Sequence, residues 1–216
     1  MPKPMMIVGD KPILWHIMKI YSHFGFKDFV LSLGYKGDDI VEWCKKNCSK
    51  EWNIEFVDTG DVGTAHRILL LRKNLGDESF FCTYGDGVAD IDINKLLDFH
   101  KKHGKIATIA LAHPRTHFGF VDVGDDGKII KFVEKPIIKE WVNGGFFVFK
   151  KEIFDYLEGL EKDDMLERKP FENLTKDGQM MGYLHAGFWK CMDTYADLTS
   201  LNDLWENDPK WKVWTK

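Results

Sequence analysis

Cysteine is scarce in this chain. Its 216 residues include only Cys44, Cys48, Cys82 and Cys191, too few for a disulfide framework. Cys44 and Cys48 are one helical turn apart, but no second Cys or His pair completes a zinc site. Long apolar runs are missing as well: none approaches the roughly 20 residues that span a bilayer. The N-terminal stretch MPKPMMIVGDKP has prolines and no signal-peptide core. A cytoplasmic protein without a membrane partner is expected. Nor does one sign of charge dominate, with 30 Lys and Arg against 34 Asp and Glu for a net charge of −4. That balance gives no general attraction to nucleic acid, so any phosphate must be met by local groups. The eight histidines are scattered, and no Ser–His or Cys–His pairing suggests a protein nucleophile. No internal repeat, low-complexity tract or linker divides the chain, so one domain over 1–216 is expected.

What is present reads as α/β. Lys11 to Phe24 carries Ile13, Ile17, Ile20 and Phe24 at helical spacing, with Pro12 in the first turn and Gly25 as the stop. Phe29 to Leu33 is a β-rich run. The pattern then alternates: helix from Asp38 to Lys46, strand from Asn53 to Asp58, helix from Thr64 to Asn74, strand from Phe80 to Tyr84, helix from Asp92 to His103, strand from Ile106 to Ala112. Strands spaced by helices of this length predict a Rossmann-like, mostly parallel sheet with helices on both faces. Beyond residue 112 the pattern turns β-rich. Phe118 to Val123, Lys128 to Val133 and Val142 to Phe149 follow closely, the first two joined by a Gly-Asp-Asp-Gly turn. A helix after Lys150, an acidic loop around Asp163, a helix near Phe171, a strand from Met180 to Leu184 and a helix from Thr194 to Trp205 complete the chain.

In such sheets ligands bind beyond the carboxyl ends of the strands. Gly85-Asp86-Gly87 stands at one of those ends. Glycines let a ligand approach closely, and a carboxylate there suits Mg²⁺, although a plain turn Asp would look the same. Asp193 precedes the last helix, as a second carboxylate for the site or as an N-cap. Glu134 and Lys135 end a strand broken by Pro136. They could serve a sugar hydroxyl and a phosphate, or form a solvated edge pair. Asn143-Gly144-Gly145 opens a hydrophobic strand, which marks either a bulge or the close approach of a ligand or backbone.

The order of these segments carries a resemblance. Pro2-Lys-Pro-Met5, Gly9-Asp-Lys-Pro-Ile-Leu14, Gly34-Tyr35-Lys36, Tyr84-Gly-Asp-Gly87, Phe118-Gly119, Glu134-Lys-Pro136, Asn143-Gly-Gly-Phe-Phe147 and Met192-Asp-Thr194 resemble the bacterial sugar-1-phosphate nucleotidyltransferases. The stretches KPILWHIMKIYSHFGFKDFVLSLGYKG, TYGDGVADI, WVNGGFFVF and GFWKCMDT look most like glucose-1-phosphate cytidylyltransferases. The resemblance covers nearly the whole chain and implies that CTP and glucose 1-phosphate are the substrates. It divides the domain into a nucleotide-binding part, 1–112, and a sugar-phosphate-binding part, 113–216. It implies that Asp86 and Asp193 hold Mg²⁺, that Lys3 meets the nucleotide phosphates, and that Lys135 meets the sugar phosphate. It further implies that Glu134 grips sugar hydroxyls, that Gly119, Asn143 and Gly144 line the sugar site, and that Tyr84 and Gly85 lie near the nucleoside. Gly63-Thr-Ala-His-Arg67 corresponds to a base-recognising stretch, in a shorter form than usual. Uridylyl or thymidylyl transfer, or a non-catalytic sugar-nucleotide-binding role, are the alternatives. The family's N-terminal Gly-rich loop and first strand have no counterpart after Met1, which implies that Met1 is internal to a longer enzyme. Eight tryptophans either form a surface for self-association or complete the core; a homo-oligomer is expected.

Overall fold

A computed structural model describes residues 2–76 and 78–215, so Met1, on which the expectation about the chain's start turns, lies outside the described residues. A short antiparallel pair comes first: β1 (Ile7–Val8) and β2 (Lys11–Pro12). Next come α1 (Ile13–His23), β3 (Asp28–Leu33), α2 (Gly37–Asn47), β4 (Asn53–Asp58) and α3 (Thr64–Leu70). β5 (Phe80–Thr83), β6 (Gly87–Ala89), α4 (Ile93–His103) and β7 (Ala107–Ala112) follow. β8 (Phe120–Val123), β9 (Ile129–Val133) and β10 (Val142–Phe149) form the β-rich stretch. The chain closes with α5 (Lys169–Lys176), β11 (Met180–Leu184), β12 (Trp189–Cys191) and α6 (Tyr195–Asn207).

The main sheet has the order β11-β7-β10-β5, in which β5, β7 and β11 run one way and β10 runs the other. β3 and β4 form a separate parallel pair. β10 shows why helices cover both faces. Its Phe146, Phe147, Val148 and Phe149 are all at most 1% exposed, and successive strand side chains point to opposite faces. Phe146 and Val148 pack with Ile17 of α1, Leu96 of α4 and Leu201 of α6. Phe147 and Phe149 pack with Ile68 of α3 and Leu174 of α5. A strand buried on both sides reads as a continuous apolar run. The mixed α/β architecture with a mostly parallel sheet is therefore as expected.

Several boundaries differ from the expectation. The first helix starts at Ile13, and Pro12 is its extended N-cap instead of a first-turn residue, because Lys11–Pro12 is held by pairing to Ile7–Val8. α3 stops at Leu70; bonds of three-residue span, Leu71 to Ile68 and Asn74 to Leu71, continue the chain as tight turns. The helix after Lys150 is a 3-10 helix, Lys151–Tyr156, in which consecutive Ile153 and Phe154 are both buried. The tryptophans mostly complete the core: Trp52, Trp211 and Trp214 are buried, and of the eight only Trp141 is exposed. No helix of the described residues is long and apolar enough to cross a membrane.

Candidate active site

β6 and β12 pair antiparallel with Gly87 opposite Cys191. Asp86 therefore leaves one strand at the end where Asp193 leaves the other, and the Met192 N–H donates to the Asp86 carbonyl at 2.8 Å. Residues 107 apart in sequence are brought together by a three-residue ladder. Lys3 lies between them. Its ammonium donates to Asp86 Oδ2 and to Asp193 Oδ1, each at 2.7 Å. A 3-10 turn, Lys3–Met5, anchored by buried Met5, holds the lysine there. The Pro4 ring lies against Gly85, where a Cβ would stand 3.0 Å from Pro4 Cγ, so a side chain there would press on the Pro-Lys-Pro-Met segment.

The electrostatics follow from this contact. Partial burial alone would lower the Lys3 pKa, but hydrogen bonds and attraction from Asp193 and Asp86 outweigh it and raise it. Asp193 Oδ2 accepts from the Cys191 thiol at 3.0 Å; that bond, then the one from Lys3, lowers the Asp193 pKa. Burial, reinforced by Asp193, pushes the Cys191 thiol up to about 12, so at neutral pH it is a protonated donor and not a nucleophile.

Thr194, not Asp193, caps α6. The Thr194 hydroxyl accepts from the Asp197 N–H, and the Asp197 carboxylate accepts from the backbone of Asp193 and Thr194. Asp197 is 4% exposed and also pairs with Lys190 at 3.2 Å. Its burial would raise its pKa, but the bonds from Thr194 and Lys190 more than reverse this and lower it. Both depressed carboxylates add stability that is complete above the ordinary Asp value near ~4 and is lost as pH falls below it. Asp197→Ala should cost about 1–2 kcal/mol of stability through the lost return half of the capping box and also loosen the Asp193 backbone. Thermal melts read the first effect, and a reduced turnover number the second.

Asp86 and Asp193 open onto a cavity of about 240 Å³ lined also by Tyr84, Gly87, Asn143, Gly144, Gly145, Trp189 and Cys191. A break in the β10–β7 register between Asn143 and Phe147 shapes one wall. There Gly145 adopts φ +74°, and a Cβ on it would stand 2.9 Å from the Tyr84 ring. The register shows the bulge, and the groups that approach the two glycines are protein groups: a Cβ on Gly144 would stand 2.8 Å from the Ala110 carbonyl oxygen. Asn143 Oδ1 accepts from the Gly145 N–H at 2.8 Å, and Trp189 donates to the Gly144 carbonyl at 2.7 Å. The Tyr84 hydroxyl donates to Glu167, whose other oxygen accepts from Thr64 at 3.1 Å.

A second group stands outside the cavity. Glu134 and Lys135 are exposed at the base of the β8–β9 hairpin, 3.8 Å apart, and Lys135 has φ +46°. A Cβ on Gly119 would be 3.0 Å from Glu134 Oε2. The structure thus brings Lys3, Tyr84, Gly85, Asp86, Asn143, Gly144 and Asp193 together and keeps Gly119, Glu134 and Lys135 as a separate cluster. Arg67 is committed to protein groups: it donates to Ser32, Thr59 and the Gly60 carbonyl and ties the ends of β3 and β4 together.

The profile of the nucleotidyl transferase family matches residues 1–212. The chain belongs to that family. It is 40% identical over 235 residues to a Bacillus subtilis protein named "Probable glucose-1-phosphate cytidylyltransferase", covering 99% of this chain and 92% of that one. It is 39% identical over 240 residues to the glucose-1-phosphate cytidylyltransferase of Salmonella typhi, covering 99% and 91%. The crystal structure of HddC from Yersinia pseudotuberculosis complexed with GMP-PN superposes with a TM-score of 0.75 at 19% identity, over 95% of this chain and 90% of that chain. At that identity the likeness is one of fold.

Sequence reasoning missed two lining residues of this nucleotidyltransferase, Trp189 and Cys191. Strands of three residues, such as β6 and β12, leave no periodicity to detect. Cys191, two residues before Asp193, could have been found by its spacing, since a strand places i and i+2 on one side.

Proposed function

We propose that this nucleotidyltransferase transfers CMP from CTP to glucose 1-phosphate, giving CDP-glucose and pyrophosphate. The observation that carries the reading is the convergence of Asp86 and Asp193 on one ammonium at the mouth of the cavity. Two carboxylate oxygens within 2.7 Å of one positive charge can also face one divalent cation. Among the described residues no group of three or more metal-ligating side chains exists. Mg²⁺ nevertheless needs only one or two protein carboxylates, with water and phosphate oxygens completing its shell, so the donor set fits. Mg²⁺ bound by Asp86 and Asp193 would neutralise phosphate charge and orient the two phosphate groups.

The residues of the chain account for the remaining roles. The Lys3 ammonium is released from its carboxylates to the nucleotide phosphates. Tyr84 and Gly85 border the nucleoside, and Asn143 and Gly144 offer backbone close to the sugar. Lys135 meets the sugar phosphate and Glu134 the sugar hydroxyls, the hairpin base forming the outer wall. An oxygen of the sugar phosphate attacks the α-phosphorus in line. The bond from that phosphorus to the bridging oxygen breaks, and its electrons leave with pyrophosphate. No proton need be abstracted from the phosphate dianion, which agrees with a Cys191 thiol held neutral. The chain contributes alignment and charge neutralisation. We read it as one domain, nucleotide-binding over 1–112 and sugar-phosphate-binding over 113–216, that self-associates.

A pyrophosphate-release assay with glucose 1-phosphate, Mg²⁺ and each of the four nucleoside triphosphates ranks the bases. CTP is expected to give the highest kcat/KM. Turnover with UTP or dTTP well above that with CTP would overturn the cytidylyl assignment, and binding of CDP-glucose without any turnover would point to a non-catalytic protein.

A further inference from the structure

Tyr84 lines the cavity from the end of β5 and is held at both ends of its side chain. Its backbone N–H donates to the Gly145 carbonyl at 3.1 Å, and its ring stands edge-on to Phe147 with centroids 5.3 Å apart. Those contacts fix the near end. The far end is fixed by Glu167, whose carboxylate accepts from the Tyr84 hydroxyl.

Glu167 is itself placed without help from the tyrosine. Leu166, one residue before it, is fully buried and packs with Ile68 of α3 and Leu174 of α5. The Leu166 N–H donates to the Thr64 hydroxyl oxygen at 2.8 Å, and that hydroxyl donates onward to the second Glu167 oxygen at 3.1 Å. The Gly63 N–H donates to the Lys162 carbonyl at 2.8 Å and the Ala65 N–H to the Asp164 carbonyl at 3.2 Å. A Cβ on Gly63 would collide with the Asp164 carbonyl, so only glycine admits this approach. Residues 162–167 are thus fastened to the start of α3. An ionised carboxylate only accepts, so its two oxygens serve two hydroxyls without competition.

We propose that Glu167 is a positioning residue for the nucleotide, acting through the Tyr84 ring. This inference rests on the reading above that Tyr84 borders the nucleoside, and not on which base is transferred. A carboxylate has only repulsion to offer a triphosphate directly, so its service to the site runs through the tyrosine. A ring already held in place loses no freedom when the nucleoside arrives, and the benefit falls on nucleotide affinity.

A double-mutant cycle with Tyr84→Phe, Glu167→Ala and the pair tests this by steady-state kinetics. Each single variant should raise the KM for CTP about tenfold, the worth of one hydrogen bond to a charged group, without moving the KM for glucose 1-phosphate. The double variant should lose no more than either single one. Glu167→Gln, whose amide can still meet the tyrosine oxygen, should recover most of the loss. Losses that multiply in the double variant would overturn the proposal, as would a shift in the KM for glucose 1-phosphate instead, or wild-type kinetics in Tyr84→Phe. Should Glu167→Ala fold poorly in thermal melts, Tyr84→Phe and Glu167→Gln decide, since each keeps the bulk of its side chain. A wild type that prefers UTP or dTTP would sink the cytidylyl assignment alone, and the cycle is then read with that nucleotide. If the wild type binds without turnover, calorimetric titration with CTP reads the same cycle.

Discussion

Asp86→Asn should lower kcat for pyrophosphate release by about 10²–10³-fold, the loss seen when one preorganised electrostatic contact to a transition state is removed. The melting temperature should stay close to that of the wild type. The amide keeps the shape of the carboxylate but carries no charge, so the divalent cation and the developing charge on the leaving pyrophosphate lose one of two anionic anchors. Stability is spared because the Asp86–Lys3 pair is partly exposed, with side chains 27% and 41% accessible, and such pairs contribute little. Lys3 also keeps Asp193 as a partner at 2.7 Å. Circular dichroism and single-turnover kinetics read the two effects separately. An unchanged kcat with raised KM would instead mean that Asp86 serves ground-state binding alone.

Trp211→Ala should have the opposite profile, a loss of about 3–5 kcal/mol in stability from a total that is typically about 5–15 kcal/mol. Trp211 is fully buried. Its ring stacks on Phe188 at 5.7 Å and meets Trp205 at 6.1 Å and His16 at 6.0 Å. Its indole N–H points to His16 Nδ1 at 3.4 Å, while His16 Nε2 donates to the Val8 carbonyl at 2.9 Å. These contacts tie the C-terminal segment to α1 and β1. The bond directions require neutral His16, and burial lowers its pKa to about 4. The stability this provides is complete above the ordinary His value near ~6.5 and is lost as pH falls through the interval down to about 4. Denaturant melts of the variant, and of the wild type between neutral and acid pH, measure both effects.

The elements that sequence made legible are those buried in one consistent way over enough residues. Asn53–Asp58, Val142–Phe149 and Met180–Leu184 begin and end where their alternating or continuous apolar pattern does. α1 was shifted because Lys11–Pro12 pairs with Ile7–Val8, a contact of two residues on each side that no period records. The site was half legible. Asp86 between two glycines, and Asn143-Gly144-Gly145 at the head of an apolar strand, are local anomalies that point to a cavity. The proximity of Asp86 and Asp193 is not local. It depends on the β6–β12 ladder, visible only once both strands are in place. Trp189 was hidden for the same reason, and the exposure of the β8–β9 hairpin could not be read from its alternation of Phe, Val and Ile, which is that of a strand with a buried face.

The central claim is that Asp86 and Asp193 together hold one divalent cation for the nucleotide. Mn²⁺ binding followed by electron paramagnetic resonance in the presence of CTP tests it most directly. The wild type should take up one Mn²⁺ per chain, and Asp86→Asn and Asp193→Asn should each weaken that uptake by tenfold or more. Uptake that is the same in both variants as in the wild type would contradict it.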